Sequence, residues 1–230
     1  MKQTSAKRPK RLLVIGAGGL GTEFAWVASE MNSASCRDTG GRALWEILGY
    51  ADDDPGKKGQ LIRGCIVHGT IQEAFAKFGS KDIGFAAAVG SNKARERVAC
   101  VAEELGWTPE TLVHPSAIVA ATAEIGGGSY LAPGTVVCPG ARVGRHVIIN
   151  THVSVGHDSR LDDFVQICPG ARVSGGCRVG RGGFLGSNAS LAPKAVVCEE
   201  AVVGANSFVL RKVAPRTTVL GCPAIAIGKN

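Results

Sequence analysis

Aliphatic and small residues recur at a fixed spacing of six over the second half of the chain. Between Val113 and Val209 every sixth residue is Val, Ile or Leu, seventeen positions in succession. Four residues after each position, through Val213, no residue larger than Val occurs. Such a double period is expected when three flat strands form each coil of a triangular prism, with aliphatic side chains inside and small ones beside its corners. The pattern predicts a parallel β-helix over residues 113–214, with seventeen uninterrupted hexads in fewer than six coils, and a length of about 25 to 30 Å.

The first 110 residues follow a different order, in which apolar runs alternate with helical patterns. This order predicts a small Rossmann-like parallel α/β sheet of three or four strands. We therefore predict two domains, residues 1–110 and residues 111–230. The predicted elements of the first domain are a strand at Arg11–Ile15, a helix through Met31, a loop insertion at Asn32–Arg42, a strand at Leu44–Tyr50, a helix at Thr70–Phe78, a strand at Ile83–Val89 and a helix at Lys93–Leu105.

A glycine-rich turn connects the first predicted strand to the first predicted helix. It reads Gly16-Ala-Gly18-Gly19-Leu20-Gly21. Because glycine lacks a Cβ atom, such a turn lets backbone N–H groups and the helix N-terminus approach a phosphate. The same motif also occurs as a tight turn without a ligand, and the residues alone leave both interpretations open.

Three carboxylates, Asp52, Asp53 and Asp54, follow the second predicted strand. Ligands bind at the carboxyl edge of such sheets, so one of these residues is placed to accept a hydrogen bond from a ribose or a base. Solvated turn residues are the alternative. The carboxylates lie more than thirty residues past Gly21, whereas a dinucleotide fingerprint has its acidic residue about 20 residues past the glycines. The domain is also too short for two mononucleotide halves, so we expect one nucleotide and no dehydrogenase.

Charge bears on the class of partner. The net charge is +7, which favours anionic partners. Five Lys or Arg residues stand within Met1–Arg11 and the rest are scattered, without a nucleic-acid recognition motif. We therefore expect phosphate-bearing small molecules and no nucleic acid. The apolar run Leu12–Ile15 is too short for a signal peptide, and no stretch reaches the roughly twenty apolar residues of a membrane span. We expect a cytoplasmic protein with no membrane partner.

The eight cysteines show no CxxC or other metal-knuckle spacing. At three hexads per coil, Cys138, Cys168 and Cys198 fall on three different faces of the predicted prism and cannot form one site. We expect reduced thiols and assign no metal ligand.

One histidine–aspartate pair, His157-Asp158, falls at a corner of the predicted prism, so both side chains should point away from its interior. A neutral imidazole is a suitable general base, and an adjacent carboxylate fixes its tautomer and stabilises the imidazolium. Acyl transfer needs such a base to take the proton of an attacking amine or hydroxyl, and a backbone N–H to hold the oxyanion. A corner histidine that is merely exposed is the alternative.

Several motifs in combination resemble one family along nearly the whole chain. They are the glycine turn, Gly49-Tyr-Ala-Asp-Asp-Asp54, Val147-Ile-Ile-Asn-Thr-His-Val-Ser-Val-Gly-His-Asp158, Leu161-Asp-Asp-Phe164 and Pro169-Gly-Ala171. They are similar to the bacterial sialic-acid O-acetyltransferases and nucleotide-amino-sugar N-acetyltransferases, which are hexapeptide-repeat acyltransferases. The resemblance implies a left-handed β-helix, a homotrimer with active sites between neighbouring prisms, and acetyl-CoA as acyl donor.

The resemblance also implies an activity and site residues. We expect N-acetylation of a nucleotide-linked 4-amino-4,6-dideoxy sugar, with His157 as the base, Asp158 as its partner and the Gly175 amide as the oxyanion donor. Gln166 stands where some members carry a second His that contacts the acetyl carbonyl, and its amide can still donate a hydrogen bond. The expected substrate-binding residues are Gly16, Gly18, Gly19, Leu20, Gly21, Asp52, Asp53 and Gly90, and the expected acetyl-CoA-binding residues are Gln166, Gly175, Ser187 and Ala205.

Three other functions stay open. One is O-acetylation of a sugar by the same machinery. Another is a β-helical zinc carbonic anhydrase, because His152 and His157 have the spacing of two of its ligands; a third imidazole is needed, and His114 and His146 do not stand at the expected position. The third is a non-catalytic trimer that binds a nucleotide. His68, His114 and His146 are otherwise interpreted as structural or exposed.

Overall fold

The computed structural model describes residues 8–39 and 41–229. Most of the basic stretch at Met1–Arg11 therefore lies outside the described residues. The first domain is a four-stranded parallel sheet in the order β2-β1-β5-β6, with three helices and a small β3–β4 hairpin. Its elements are β1 (Lys10–Ile15), α1 (Gly19–Thr39), β2 (Trp45–Ala51), β3 (Leu61–Ile62), β4 (Cys65–Ile66), α2 (Ile71–Phe78), β5 (Ile83–Ala87), α3 (Asn92–Glu104) and β6 (Thr108–Pro109).

The predicted Rossmann-like sheet is confirmed, but two of its boundaries were wrong. Helix α1 continues to Thr39, so Asn32–Arg42 is not a loop insertion. Asn32 is tolerated inside this helix because its side-chain oxygen accepts the N–H groups of Leu44 and Trp45, where β2 begins. Strand β5 ends at Ala87 rather than Val89, because the Val89 carbonyl accepts a side-chain hydrogen bond from Arg95.

Residues 112–220 form the predicted parallel β-helix, which is left-handed, as the resemblance implied. Its strands fall on three faces. The first face is β7, β10, β13, β16, β19, β22 and β25; the second is β8, β11, β14, β17, β20 and β23; the third is β9, β12, β15, β18, β21 and β24. The strands are β7 (Leu112–Val113), β8 (Ile118–Val119), β9 (Glu124–Ile125), β10 (Tyr130–Leu131), β11 (Val136–Val137), β12 (Arg142–Val143), β13 (Ile148–Ile149), β14 (Ser154–Val155), β15 (Arg160–Leu161), β16 (Gln166–Ile167), β17 (Arg172–Val173), β18 (Arg178–Val179), β19 (Phe184–Leu185), β20 (Ser190–Leu191), β21 (Val196–Val197), β22 (Val202–Val203), β23 (Phe208–Val209), β24 (Lys212–Val213) and β25 (Thr217–Leu220).

The hexad pattern accounts for the interior of the prism. The aliphatic position of each hexad is the second residue of a strand, and from Leu131 through Val209 these side chains are nearly free of solvent contact. The small residues four positions later, such as Ala189 and Cys177, are also fully buried. Leu, Ile and Val therefore fill a narrow, dry core.

The predicted seventeenth hexad is shortened by two residues. Val213 pairs with Val197, so it occupies the aliphatic position rather than the small one. Six complete coils result, and β25 begins a seventh, so the prediction of fewer than six coils was wrong. The chain then reverses, and β26 (Ile225–Lys229) pairs antiparallel with β25.

The first domain packs on the first face of the prism and on the corner between the third and first faces. On the face, Phe24 of α1 stacks on Tyr130 with ring centroids 3.9 Å apart. At the corner, Glu103 of α3 pairs with Arg145 and His146 at 2.7 and 2.9 Å. These contacts hold the first domain against one side of the β-helix. None of the described helices has the length and apolar character needed to cross a bilayer.

Candidate active site

His157 and Asp158 form the turn between β14 and β15, at the corner between the second and third faces. Both side chains project into solvent, with 71% and 73% of their surface exposed. Nδ1 of His157 lies 2.8 Å from Oδ2 of Asp158. A carboxylate at this distance places the proton of the neutral ring on Nδ1, which leaves Nε2 with a lone pair. The outward orientation expected from the sequence is confirmed.

Gly175 lies one coil further along, against the imidazole of His157. A Cβ atom on Gly175 would stand 2.4 Å from Nε2 of His157, so only glycine allows this ring position. The carbonyl of Gly175 accepts from Lys194, whereas its N–H donates to no atom of the described chain. A histidine nitrogen and an available backbone N–H therefore lie beside each other at this corner.

The other expected acetyl-CoA-binding residues lie elsewhere on the prism. Ser187 and Ala205 occupy successive coils of the corner between the first and second faces. The two corners border the second face, one on each side. Gln166 lies in β16 on the first face, where its side-chain oxygen accepts from Arg95 at 3.2 Å. The chain thus brings His157, Asp158 and Gly175 together but not Gln166.

The glycine turn of the first domain combines close packing with an open edge. Gly16 has φ +104°, and a Cβ atom there would meet the Ala88 carbonyl at 2.7 Å. A Cβ atom on Gly21 would lie 2.0 Å from the Gly16 carbonyl. Gly18 and Gly19, by contrast, have no atom within 4 Å of that position, and the same holds for Gly90. Gly16 and Gly21 are therefore required for packing, while the other three leave room at the carboxyl edge of the sheet. Leu20, half-buried, packs against the core beneath the turn.

Asp52 holds the glycine turn in place. Its Oδ2 accepts from the Ala17 N–H at 2.7 Å and from Lys57 at 3.0 Å, and its Oδ1 accepts from the Asp54 N–H at 2.9 Å. Burial by itself raises the pKa of this carboxyl, but these hydrogen bonds and the Lys57 charge outweigh it and hold the pKa below its ordinary value. Asp53 beside it is exposed, so its side chain is open to a ligand.

A cavity of about 340 Å³ lies between the two domains. One wall is the segment from Gly90 to Lys93, which leads into α3. The opposite wall belongs to the β-helix and includes Phe184 and Val202 of the first face and Gly182 of the adjacent corner. Its volume is in the range of small-molecule sites, and it adjoins the carboxyl edge where parallel sheets bind ligands.

Two buried polar residues lie at the domain junction, and the sequence analysis missed the first of them. Arg95 is 1% exposed and His146 is 1% exposed. Arg95 shares the buried face of α3 with Ala99 and Ala102, so helical spacing could have indicated it. His146, expected to be structural or exposed, stacks on Phe164 with centroids 5.1 Å apart.

The histidines considered for a zinc site do not gather. His114 and His152 lie at the corner between the first and second faces, two coils apart, whereas His157 lies at the next corner and His146 is buried at the third. Within the part of the chain that the structure describes, no group of three or more His, Cys, Asp or Glu side chains is arranged to hold a metal ion. All eight cysteines are free.

Comparison with known proteins gives one family match and several relatives. The family model described as the PglD N-terminal domain matches residues 11–102. GDP-perosamine N-acetyltransferase of Escherichia coli O157:H7 is 26% identical over 176 residues, which cover 76% of this chain and 75% of that protein.

Two solved structures are similar over almost the whole chain. The acetyltransferase domain of PglB from Neisseria gonorrhoeae, in complex with acetyl coenzyme A, is 31% identical with a TM-score of 0.81, and the match covers 95% of this chain and 100% of that one. PerB from Caulobacter crescentus, in complex with CoA and GDP-perosamine, is 26% identical with a TM-score of 0.77, covering 94% and 97%.

Proposed function

The chain belongs to the hexapeptide-repeat acyltransferase family, and from this premise we propose that it transfers the acetyl group of acetyl-CoA to the amine of a nucleotide-linked 4-amino-4,6-dideoxy sugar. The relatives named for N-acetylation of perosamine and for binding of acetyl coenzyme A support the donor and the acceptor class. Perosamine is itself a 4-amino-4,6-dideoxy sugar, so its GDP derivative is the first acceptor to test.

The observation that carries this proposal is the position of His157 Nε2 against the backbone of Gly175. With its Nδ1 proton directed to Asp158, His157 takes a proton from the acceptor amine through Nε2 as the amine attacks the thioester carbon. The Gly175 N–H donates to the oxyanion of the tetrahedral intermediate. When the C–S bond breaks, the imidazolium returns the proton to the CoA thiolate, which leaves the amide product and a neutral base.

The two substrates approach from different parts of the molecule. Acetyl-CoA lies along the second face, where Gly175 stands at one border and Ser187 and Ala205 at the other. The nucleotide of the acceptor lies at the carboxyl edge of the first domain, over the open backbone of Gly18 and Gly19 and beside Leu20, Asp53 and Gly90.

A complete site requires two copies of the chain. The first domain packs at the corner between the third and first faces, whereas His157 projects from the corner between the second and third faces. An acceptor held by one chain therefore meets the imidazole of a neighbour. A homotrimer of prisms provides this arrangement three times.

The test is release of free thiol from acetyl-CoA by the purified protein. We expect release only when an amino-sugar nucleotide is present, and mass spectrometry should find the acetyl group on nitrogen. A thermal-shift screen of UDP, GDP, dTDP and CMP sugars selects the acceptor. His157→Ala is expected to lower kcat on the order of 10² to 10⁴-fold, the usual contribution of general-base catalysis. Wild-type turnover by this variant would refute the assignment of the base, and acetyl on oxygen would change the reaction to O-acetylation.

A further inference from the structure

Arg95 is a buried cation whose hydrogen-bond partners are all neutral oxygens. Burial lowers the pKa of its guanidinium to about 10, so the group stays charged near neutral pH. Within the described chain no carboxylate pairs with it, and such burial costs free energy that hydrogen bonds only partly offset. Its five nearest acceptors, at 2.7 to 3.2 Å, are the backbone carbonyls of Val89, His146 and Phe164 and the side-chain oxygens of Asn92 and Gln166, and the Val165 carbonyl lies at 3.4 Å.

These acceptors belong to both domains. Val89 follows β5, which ends at Ala87, and immediately precedes Gly90, while Asn92 is the first residue of α3. His146 and Phe164 lie in successive coils at one corner of the prism, and Arg95 donates to both of their carbonyls. A single planar group thereby fixes the start of α3 and the segment that follows β5 relative to the β-helix.

Arg95 also determines which way the Asn92 amide points. A guanidinium only donates, so the oxygen of Asn92 must face Arg95, at 2.9 Å. The amide nitrogen then points to the β-helix and donates to the Gly182 carbonyl at 2.8 Å. The chain of contacts from Arg95 through Asn92 to Gly182 crosses from one wall of the interdomain cavity to the other.

The charged side chains around this cavity pair with each other across the same gap. Lys93 lies 3.1 Å from Glu200, and Arg181 lies 2.5 Å from Glu96. These pairs are exposed and contribute little to stability. The buried contacts of Arg95 are therefore the ones that set the separation of the cavity walls, between Gly90 on one side and Phe184 on the other.

We infer that Arg95 is a positioning residue for the acceptor: it holds segment 89–92 against the β-helix and so shapes the cavity that receives the sugar of the acceptor nucleotide. The identity of that occupant rests on the proposed function. The mechanical part, that Arg95 fixes segment 89–92, does not depend on it.

Two variants test the inference. Arg95→Lys keeps the charge, but one ammonium with three donors cannot reach five acceptors on three segments. We expect the KM for the acceptor to rise at least about tenfold, the effect of losing a hydrogen bond to a charged group. Asn92→Ala keeps the Arg95 side chain and its contacts to Val89, His146, Phe164 and Gln166, and removes the bridge that Asn92 makes between Arg95 and Gly182. We expect a severalfold rise in acceptor KM with the KM for acetyl-CoA unchanged. If Arg95→Lys does not fold, this second variant still tests the inference.

Glu103→Gln is the matched control, because Glu103 joins the far end of α3 to the same corner without lining the cavity. It should lower the melting temperature while leaving both KM values within about twofold. A ligand-free measurement accompanies the kinetics: amide hydrogen exchange of residues 88–93 should quicken in Arg95→Lys and stay unchanged in Glu103→Gln.

The two levels of the proposal can fail separately. If the wild-type protein acetylates no amino-sugar nucleotide, the proposed function fails, and the exchange of residues 88–93 still decides whether Arg95 positions them. If the wild type is active but Arg95→Lys and Asn92→Ala match Glu103→Gln in acceptor KM and in exchange, Arg95 is a purely structural residue and the inference is overturned.

Discussion

The backbone of Gly175 lies so close to Nε2 of His157 that a Cβ atom would stand 2.4 Å from the nitrogen. The two residues are at the same position of successive coils, so the β-helix itself sets their separation. The coil spacing of roughly 4.8 Å leaves no room for a side chain between an imidazole that lies along the corner and the backbone of the next coil.

Gly175→Ala tests this relationship. The added methyl group must displace the imidazole, which is exposed and can swing into solvent at the cost of its contact with Asp158. We therefore expect an intact fold and a kcat lowered by roughly 10 to 100-fold through a misplaced base. Thiol release and a melting curve measure the two effects. Gly127→Ala is the matched control, because Gly127 has the same hexad position and its nearest neighbour would lie 3.7 Å from the new Cβ. Equal activity losses in both variants would show that any substitution at this turn position is harmful, and would remove the special role of Gly175.

Asp158→Asn tests the charge beside the base. Asp158 has φ +59°, a conformation that Asn adopts readily, so the turn should persist. The neutral amide cannot stabilise the imidazolium to the same extent, and we expect kcat to fall by roughly 10 to 100-fold, the range for one hydrogen bond to a charged group. Asp162→Asn makes the same charge change at an exposed residue that pairs with Arg160 instead. A full loss of activity in Asp162→Asn would point to net charge rather than to the His157 contact.

A mixed oligomer tests whether one site draws on two chains. His157→Ala disables the base, and Gly18→Asp places a negative charge where the phosphates are expected, in a position with space for a side chain. Each variant alone should be inactive. A shared site works when a Gly18→Asp chain supplies the intact His157 and a neighbouring His157→Ala chain supplies the intact Gly18. When differently tagged copies are co-expressed in equal amounts, about a quarter of the sites should have this combination, because each of the two positions holds the required variant in half of the cases. No recovery in verified mixed oligomers would place the whole site within one chain.

Asp52→Asn tests the hydrogen bonds that hold the glycine turn. The folded carboxyl has a lowered pKa, and the unfolded one titrates near 3.9, about its reference value. Ionised Asp52 therefore stabilises the fold fully above that pH, and the contribution is lost as the pH falls through the folded pKa. We expect the variant to be less stable at neutral pH by about 1 to 3 kcal/mol, and the difference to shrink in acid.

Urea unfolding at neutral pH and at acid pH provides the measurement. Asp53→Asn is the control, because Asp53 is the exposed neighbour with the same charge. A stability difference for Asp52→Asn that stays constant with pH would mean that the carboxylate form is not what holds the turn.

Much of the fold follows from the order of residues, because its determinants are local. A hexad constrains only residues of the same and neighbouring coils, so the outward position of His157 and its place beside Asp158 were accessible from the sequence. The exceptions arose where a distant group changes a local preference. Asn32 stays helical because its side-chain oxygen accepts the N–H groups of Leu44 and Trp45, where β2 begins. The coil at Val213 is shortened by two residues before the chain turns back.

The sequence by itself determined a β-helix with a buried aliphatic core, a glycine turn between a strand and a helix, and an imidazole at a corner of the prism. These features depend on the period of side chains along the backbone and on residues that lack a Cβ atom. Only the tertiary structure decided that the first domain covers the corner next to the one that carries His157, and that Arg95 is buried between the domains. Such docking depends on contacts between residues 51 to 71 positions apart, and no periodic pattern records which helix face meets which corner.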